Sequence, residues 1–354
     1  MGHLGLKVKI VTCSCLLASS IIGEMHCHRY ISSMKHRLFV GLIGGLYLGS
    51  LPWVVAQTVT VTTLTNLDAS GGVTTDAQGT LYISDFGPQL GNPQESTSVY
   101  LWDAKAGAFE EFASGFQGAS GACFDAEGNF YQANPFGGSI SKVYPDGTAD
   151  HRWWTTDLQT PIGLEADAQG NLYVCNCAGA TIGRISAEGY SVFAESDLFQ
   201  CPNGLTQDEE GILYACNFND GKVLRIDTEG QVSEVVELPV LTGGANPVGN
   251  GHLIYSKGWL YVTAIGRGEI YRVAPDGSSY ELVAGKAFGF ANEDGVAQDA
   301  TFSKPNGIAA SITGDTLYVN VSEPIWPQDP TALHPARVRM VIGVCSIPNS
   351  HCQP

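Results

Sequence analysis

One repeated pattern constrains the fold more than anything else in these 354 residues. A glycine is followed by three residues, an aspartate, two residues, a second glycine and then Leu-Tyr. It runs from Gly72 through Asp76 and Gly79 to Leu81-Tyr82, and returns at Gly121 to Phe130-Tyr131, Gly163 to Leu172-Tyr173 and Gly204 to Leu213-Tyr214. Looser copies run from Gly251 to Leu260-Tyr261 and from Gly307 to Leu317-Tyr318. The copies lie 41 to 56 residues apart. Each holds four short strands. A brief apolar strand leads into an Asp-x-x-Gly turn, in which Asp suits the first position and Gly the fourth. The Leu-Tyr strand comes next. A third strand alternates apolar and polar residues, as in Lys222–Ile226, and a fourth follows a second Gly turn, as in Ser191–Ala194. Period-two alternation broken by turns every ~8–12 residues indicates an all-β chain. A repeat of ~40–50 residues indicates a propeller blade, and a blade alone leaves a face unburied. The expectation is an all-β, six-bladed β-propeller with four antiparallel strands per blade. Its inner strands should begin near Gly72, Gly121, Gly163, Gly204, Gly251 and Gly307. Thr58–Leu64 reads as a strand with no inner strand before it, and the simplest ring closure places it outside the last blade.

Residues 57–354 form the predicted propeller, and residues 1–56 read as a leader. Within the leader, Met34-Lys35-His36-Arg37 is basic, Leu38–Leu48 is apolar and Val54-Val55-Ala56 has small residues where a signal peptidase cuts. That layout predicts a secretory signal peptide with its true start at Met34, cleavage after Ala56, and a secreted or periplasmic protein with no stable membrane span after cleavage. An uncleaved leader would anchor it in a membrane instead. The earlier apolar run, Ile10–Gly23, is short for a span of ~20 residues. Of 18 basic and 35 acidic residues, the leader holds Lys7, Lys9, Arg29, Lys35, Arg37 and Glu24, leaving 13 and 34, a net charge of −21. So acidic a surface argues against nucleic acid as a partner. Seven cysteines remain, and Cys175-Asn176-Cys177 lacks the spacing of a zinc site. Cys177 follows the second strand of the third blade and Cys201 precedes the first strand of the fourth, so a disulfide between them is expected. Cys175 and Cys216 occupy equivalent places in neighbouring blades and are expected as buried small apolar residues.

Aligning the blades exposes the candidate site. The residue before the aligned glycine is Gly71, Ser120, Ile162, Asn203, Asn250 or Asn306. In a propeller these strand starts converge on one mouth of the central channel. Carboxamide oxygens gathered there suit a hard divalent cation such as Ca²⁺, and Asn-Gly is also ordinary turn chemistry. A second column, Asp85, Asn134, Asn176 and Asn217, ends the second strands, where such side chains satisfy loop backbone groups. Two residues break apolar columns. His252 stands where other blades carry Val73, Ala122, Leu164, Leu205 and Ile308, and Glu165 where they carry Thr74, Cys123, Thr206, Leu253 and Ala309. His252 reads as a general base, a metal ligand or a satisfied core histidine. Glu165 reads as an added carboxylate for the metal or as a residue facing a solvated channel. The segments Phe86–Thr97, Ser322–Pro335 and Ala284–Lys304 are long enough to shape the same rim.

Pro202-Asn203-Gly204-Leu205 with Gly211-Ile212-Leu213-Tyr214 resembles the regucalcin–gluconolactonase (senescence marker protein) family. Gly295-Val296-Ala297, Ala300-Thr301-Phe302 and Pro305-Asn306-Gly307-Ile308 resemble NHL repeats. The first resemblance implies a metal-dependent lactonase whose cation is held by a first-blade Glu, an Asn of Pro-Asn-Gly and an Asp. Asn203 matches the Asn, Asn250 stands in the Asp column, and Gly71 stands in the Glu column. The expectation is therefore an exported propeller that hydrolyses a small lactone or ester with Asn203, Asn250, Asn306 and Glu165 at the metal and His252 as base. The second resemblance implies a non-catalytic propeller that binds a small molecule or a protein on the same face.

Overall fold

The computed structural model describes residues 58–87, 96–242, 248–324 and 333–352, with backbone only for 322–324 and 333–336. The chain divides into two units, Met1–Val54 and Val55–Pro354; the described residues all belong to the second. The leader, its signal peptide and Ala56 lie outside the described residues, as do the tips of the loops that begin at Phe86 and Ser322. Among the described residues no helix is long and apolar enough to cross a membrane.

Six antiparallel sheets form a closed ring, each meeting the next through its inner strands. The inner strands are Val73–Thr75, Ala122–Phe124, Pro161–Ala166, Pro202–Gln207, Leu253–Ser256 and Ile308–Ala310. They start within two residues of the aligned glycines. The first five sheets have four strands in chain order. The last is built differently. Its third strand, Leu333–Ile342, pairs with the N-terminal strand Thr60–Thr65, so the ring closes between the two ends of the chain. Gly295–Val296 adds a fifth strand outside it. The stretch before the sixth blade, which the sequence reading gave wholly to the rim, thus supplies an edge. Asp294 fixes that edge by accepting from Thr63 N and Oγ1 and from the buried Arg339.

The aligned glycines are explained by blade-to-blade contact. A Cβ on Gly163 would stand 2.5 Å from the carbonyl oxygen of Asn203, and one on Gly307 would stand 2.6 Å from that of Gly71. Every aligned glycine abuts the backbone of the next blade in this way. Hydrogen bonds follow the same seam, from Gly72 N to Ser120 O, Gly121 N to Ile162 O and His252 N to Asn306 O.

The Asp-x-x-Gly turn and the Leu-Tyr strand prove to be one device. Asp76, Asp125, Asp167 and Asp208 each accept two turn N–H groups through Oδ1 and a tyrosine hydroxyl, from Tyr82, Tyr131, Tyr173 and Tyr214, through Oδ2. The turn carboxylate therefore ties the loop to the second strand. Apolar clusters fill the space between adjacent sheets, as where Cys216, Val223 and Leu238 meet Leu260 and Val262. The expected Cys177–Cys201 disulfide is present, and a second joins Cys345 to Cys352. Cys123, Cys175 and Cys216 are free and buried. The Cys175 thiol points at Gly204 O and that of Cys216 at Gly251 O, so both fill blade seams.

Candidate functional site on the propeller axis

The inner strands run roughly side by side around the axis, so a residue's distance from the aligned glycine fixes its depth in the channel. Two depths carry chemistry. At the end where the strands begin, Asn203, Asn306 and His252 come together around one peptide. Asn203 Nδ2 donates to Gly251 O at 2.5 Å, and His252 N donates to Asn306 O at 3.0 Å. Asn306 Nδ2 donates to Ser70 O at 2.5 Å, which latches the sixth blade to the first. Both amides thus use their N–H groups to hold the ring, and no donor among the described residues reaches the Oδ1 atom of either. Thr263 Oγ1 braces the same place, donating to Asn306 O and accepting from His252 N.

Asn250 does not join them. Its side chain turns back along the fourth blade and its Nδ2 lies 3.4 Å from Lys222 O, at the start of a third strand. The aligned column is a column of Cα positions, and its side chains diverge. The second column behaves as loop support. Asn134 Oδ1 accepts from Gln117 N, Asn176 Oδ1 from Gln159 N, and Asp85 Oδ1 from Gly87 N, while Asn217 Nδ2 donates to Leu198 O.

His252 lies on the axis. It shares a small chamber with Gly72, Gly121, Gly163 and an apolar ring that includes Leu164, Leu205 and Ile308. It is 7% exposed, and its Nε2 is buried without a hydrogen-bond partner. Burial disfavours the imidazolium and pulls its pKa down to about 4. The ring is therefore neutral across the physiological range, with one donor and one acceptor nitrogen.

Glu165 lies at the other end. It lines a funnel of about 460 Å³ into which the inner strands end, with Thr74, Cys123 and Thr206 at its own depth and Asp76 and Asp125 farther out. Among the described residues no Lys or Arg lines this funnel. Burial with no cationic partner raises the Glu165 carboxyl to about 8. Its separation from Asn203 is about three residues of strand, on the order of 10 Å along the axis. Asn203, Asn306 and His252 are thus linked through backbone carbonyls at the blade seams, Asn250 turns away from them, and the imidazole lies about two strand residues from the Asn203 depth and about one from that of Glu165.

Neutral carboxamides supply oxygen but no charge, and a tightly held divalent cation needs carboxylates. Among the described residues no three His, Cys, Asp or Glu side chains gather as a metal site. The residues around Asn203 therefore do not fit a resident divalent cation.

The sequence matches no known protein-family profile, and no curated protein sequence matches it. Solved structures do match in fold. A gluconolactonase from Xanthomonas campestris superposes with a TM-score of 0.55 at 14% identity, over 80% of this chain and 90% of its own. Virginiamycin B lyase from Staphylococcus aureus gives 0.53 at 15%, over 80% and 98%. A Bacteroides thetaiotaomicron protein of unknown function gives 0.60 at 12%, over 80% and 76%. The resemblance to regucalcin–gluconolactonase and NHL propellers holds for the fold.

Proposed function

We propose that this chain is a ligand-binding propeller whose site lies on the axis where the inner strands begin, with Asn203, Asn306 and His252 as its contact residues. The observation that carries this reading is the partnerless Nε2 of His252. A buried polar nitrogen left unpaired costs roughly 1–3 kcal/mol, and an unsatisfied group of this kind at a channel is a natural place for a ligand hydrogen bond. The Asn203 and Asn306 carboxamides stand at the strand starts, about two strand residues from it. Polar groups that carry no charge favour a small hydroxyl-rich molecule, whose O–H both donates and accepts, over an anion. Hydrolysis of a lactone or ester is a second reading, favoured by the neutrality of His252, which suits it to take a proton from water. Calorimetry with sugar lactones and their open-chain polyols tests both. Binding that weakens in Asn203→Ala without turnover supports the binding reading. Lactone turnover that disappears in His252→Ala while binding survives supports hydrolysis. No binding of either class refutes the proposal.

A further inference from the structure

The funnel at the opposite end shares only His252, at its floor, with that site, and its other residues are different ones. Among the described residues its lining carries three carboxylates, Glu165, Asp76 and Asp125, and no basic side chain. The three are not equivalent. Asp76 and Asp125 are fixed in turns by backbone N–H groups and tyrosine hydroxyls. Hydrogen bonding to Asn129 holds Asp125 below the usual carboxylate range despite its partial burial, so it stays ionised. Glu165 has no such tie to another side chain; it accepts only backbone N–H groups, from Ala166 at 3.3 Å and from Gln207. Beneath it the funnel narrows into the chamber of His252. Val73, Ala122, Leu164, Leu205, Leu253 and Ile308 line both. The unpaired, 7%-exposed imidazole of His252 lies at the floor of this shaft.

The shaft is thus slender and apolar along its walls, acidic at its mouth and acceptor-bearing at its floor. An anion is repelled at the rim, and a bulky cation does not fit the narrowing. We infer that the funnel binds an aliphatic primary ammonium group, its nitrogen on the Glu165 carboxylate and its methylenes against Phe124, Leu253 and Ile254, between Glu165 and the rim. A second amine on the same chain meets the rim carboxylates Asp76 and Asp125. The groups that face Glu165 are Cys123 from the neighbouring blade, the two rim aspartates, and Tyr255 and His252 across the axis. None is cationic at neutral pH, so the ligand supplies the only positive charge. Binding draws the proton off Glu165, and affinity therefore rises with pH until that carboxyl is ionised without help.

Calorimetric titration with 1,4-diaminobutane, butane-1,4-diol and Nα-acetyl-lysine methylamide tests this on the whole protein at pH 6 and pH 8.5. The diamine should bind and tighten by more than tenfold between the two pH values. The uncharged diol should not bind. Glu165→Gln resembles the protonated acid that the fold already holds, so it should fold, lose roughly 30-fold or more of the affinity at pH 8.5, and show no pH dependence. Binding of the diamine alone supports a free diamine as the ligand, and binding of the lysine derivative as well supports a lysine side chain presented by a peptide. If neither amine binds, if the diol binds equally, or if Glu165→Gln binds as well as the parent, the inference is overturned.

Discussion

The two ends of the axial channel are built from the same six strands, yet they carry opposite chemistry. Where the strands begin, backbones touch, amide side chains latch one blade to the next, and the axial His252 is held neutral. Where the strands end, the blades splay into a funnel lined with carboxylates. The difference follows from geometry. Close approach at the first end demands glycine and leaves side chains only backbone carbonyls to meet. At the second end the turns supply carboxylates because Asp is the residue that closes them. A propeller of this kind therefore has a tight, uncharged mouth and an open, acidic one.

The sharpest way to break this contrast is to add one methyl at each end. Gly163→Ala drives a Cβ to within 2.5 Å of a backbone oxygen of the next blade, an overpacking that should destabilise by roughly 3 kcal/mol. Gly128, in the turn of the second blade, meets nothing within 4 Å and has φ of 82°. Gly128→Ala should suffer only left-handed strain, about 1 kcal/mol. Urea unfolding of the two variants measures both, and equal losses would remove the distinction.

The titrating groups give the next effects, and their signs oppose. The folded pKa of His252 is lowered from 6.5 to about 4. Its contribution is complete above pH 6.5 and is lost as pH falls through 4. Up to about 3 kcal/mol of stability should disappear over that window. His252→Leu, which places there the residue found at Leu164 and Leu205, should lack that loss in acid unfolding curves. The folded pKa of Glu165 is raised from 4.5 to about 8. Its contribution is complete below pH 4.5 and is lost as pH rises through 8. Because Glu165 is only partly buried, Glu165→Gln should gain a discounted amount, on the order of 1 kcal/mol, relative to the parent at pH 9. A thermal melt series from pH 5 to pH 9 reads it directly. Smallest is Asn203→Ala, which removes the amide bond to Gly251 O and should cost about 1 kcal/mol. Its larger effect should fall on ligand binding.

Most of the ring was legible in the sequence because glycine contact, turn aspartates and strand alternation each leave a residue at a fixed spacing. The Cys177–Cys201 pair was legible for the same reason, since both flank loops at one end of adjacent blades. The site was less so. Alignment gives the depth of a Cα but not the direction of a side chain, so Asn203, Asn250 and Asn306 read as one cluster although Asn250 reaches back to Lys222 O. Glu165 read as a neighbour of that cluster, although each strand residue is worth ~3.3 Å of depth. The tyrosine hydroxyl of the second strand in each of the first four blades had a visible partner in the turn aspartate six residues before it, and that link was missed. Other seam latches, such as Gln132 Oε1 accepting from Ser84 Oγ and Asn320 Nδ2 on Ala69 O, sit in columns where other blades carry small or apolar residues. Nothing periodic marks them.

The contrast between the two mouths rests on two side chains, and one experiment addresses both. Carbon-detected NMR of protein labelled at the glutamate carboxyl and histidine ring carbons follows Glu165 and His252 through a single pH titration, with Glu165→Gln and His252→Leu assigning the resonances. The account predicts a carboxyl that titrates near pH 8 and an imidazole that stays neutral down to about pH 4. A Glu165 midpoint near 4.5 together with a His252 midpoint near 6.5 would contradict it, because both side chains would then be solvated and the axis would hold no buried acceptor and no buried acid.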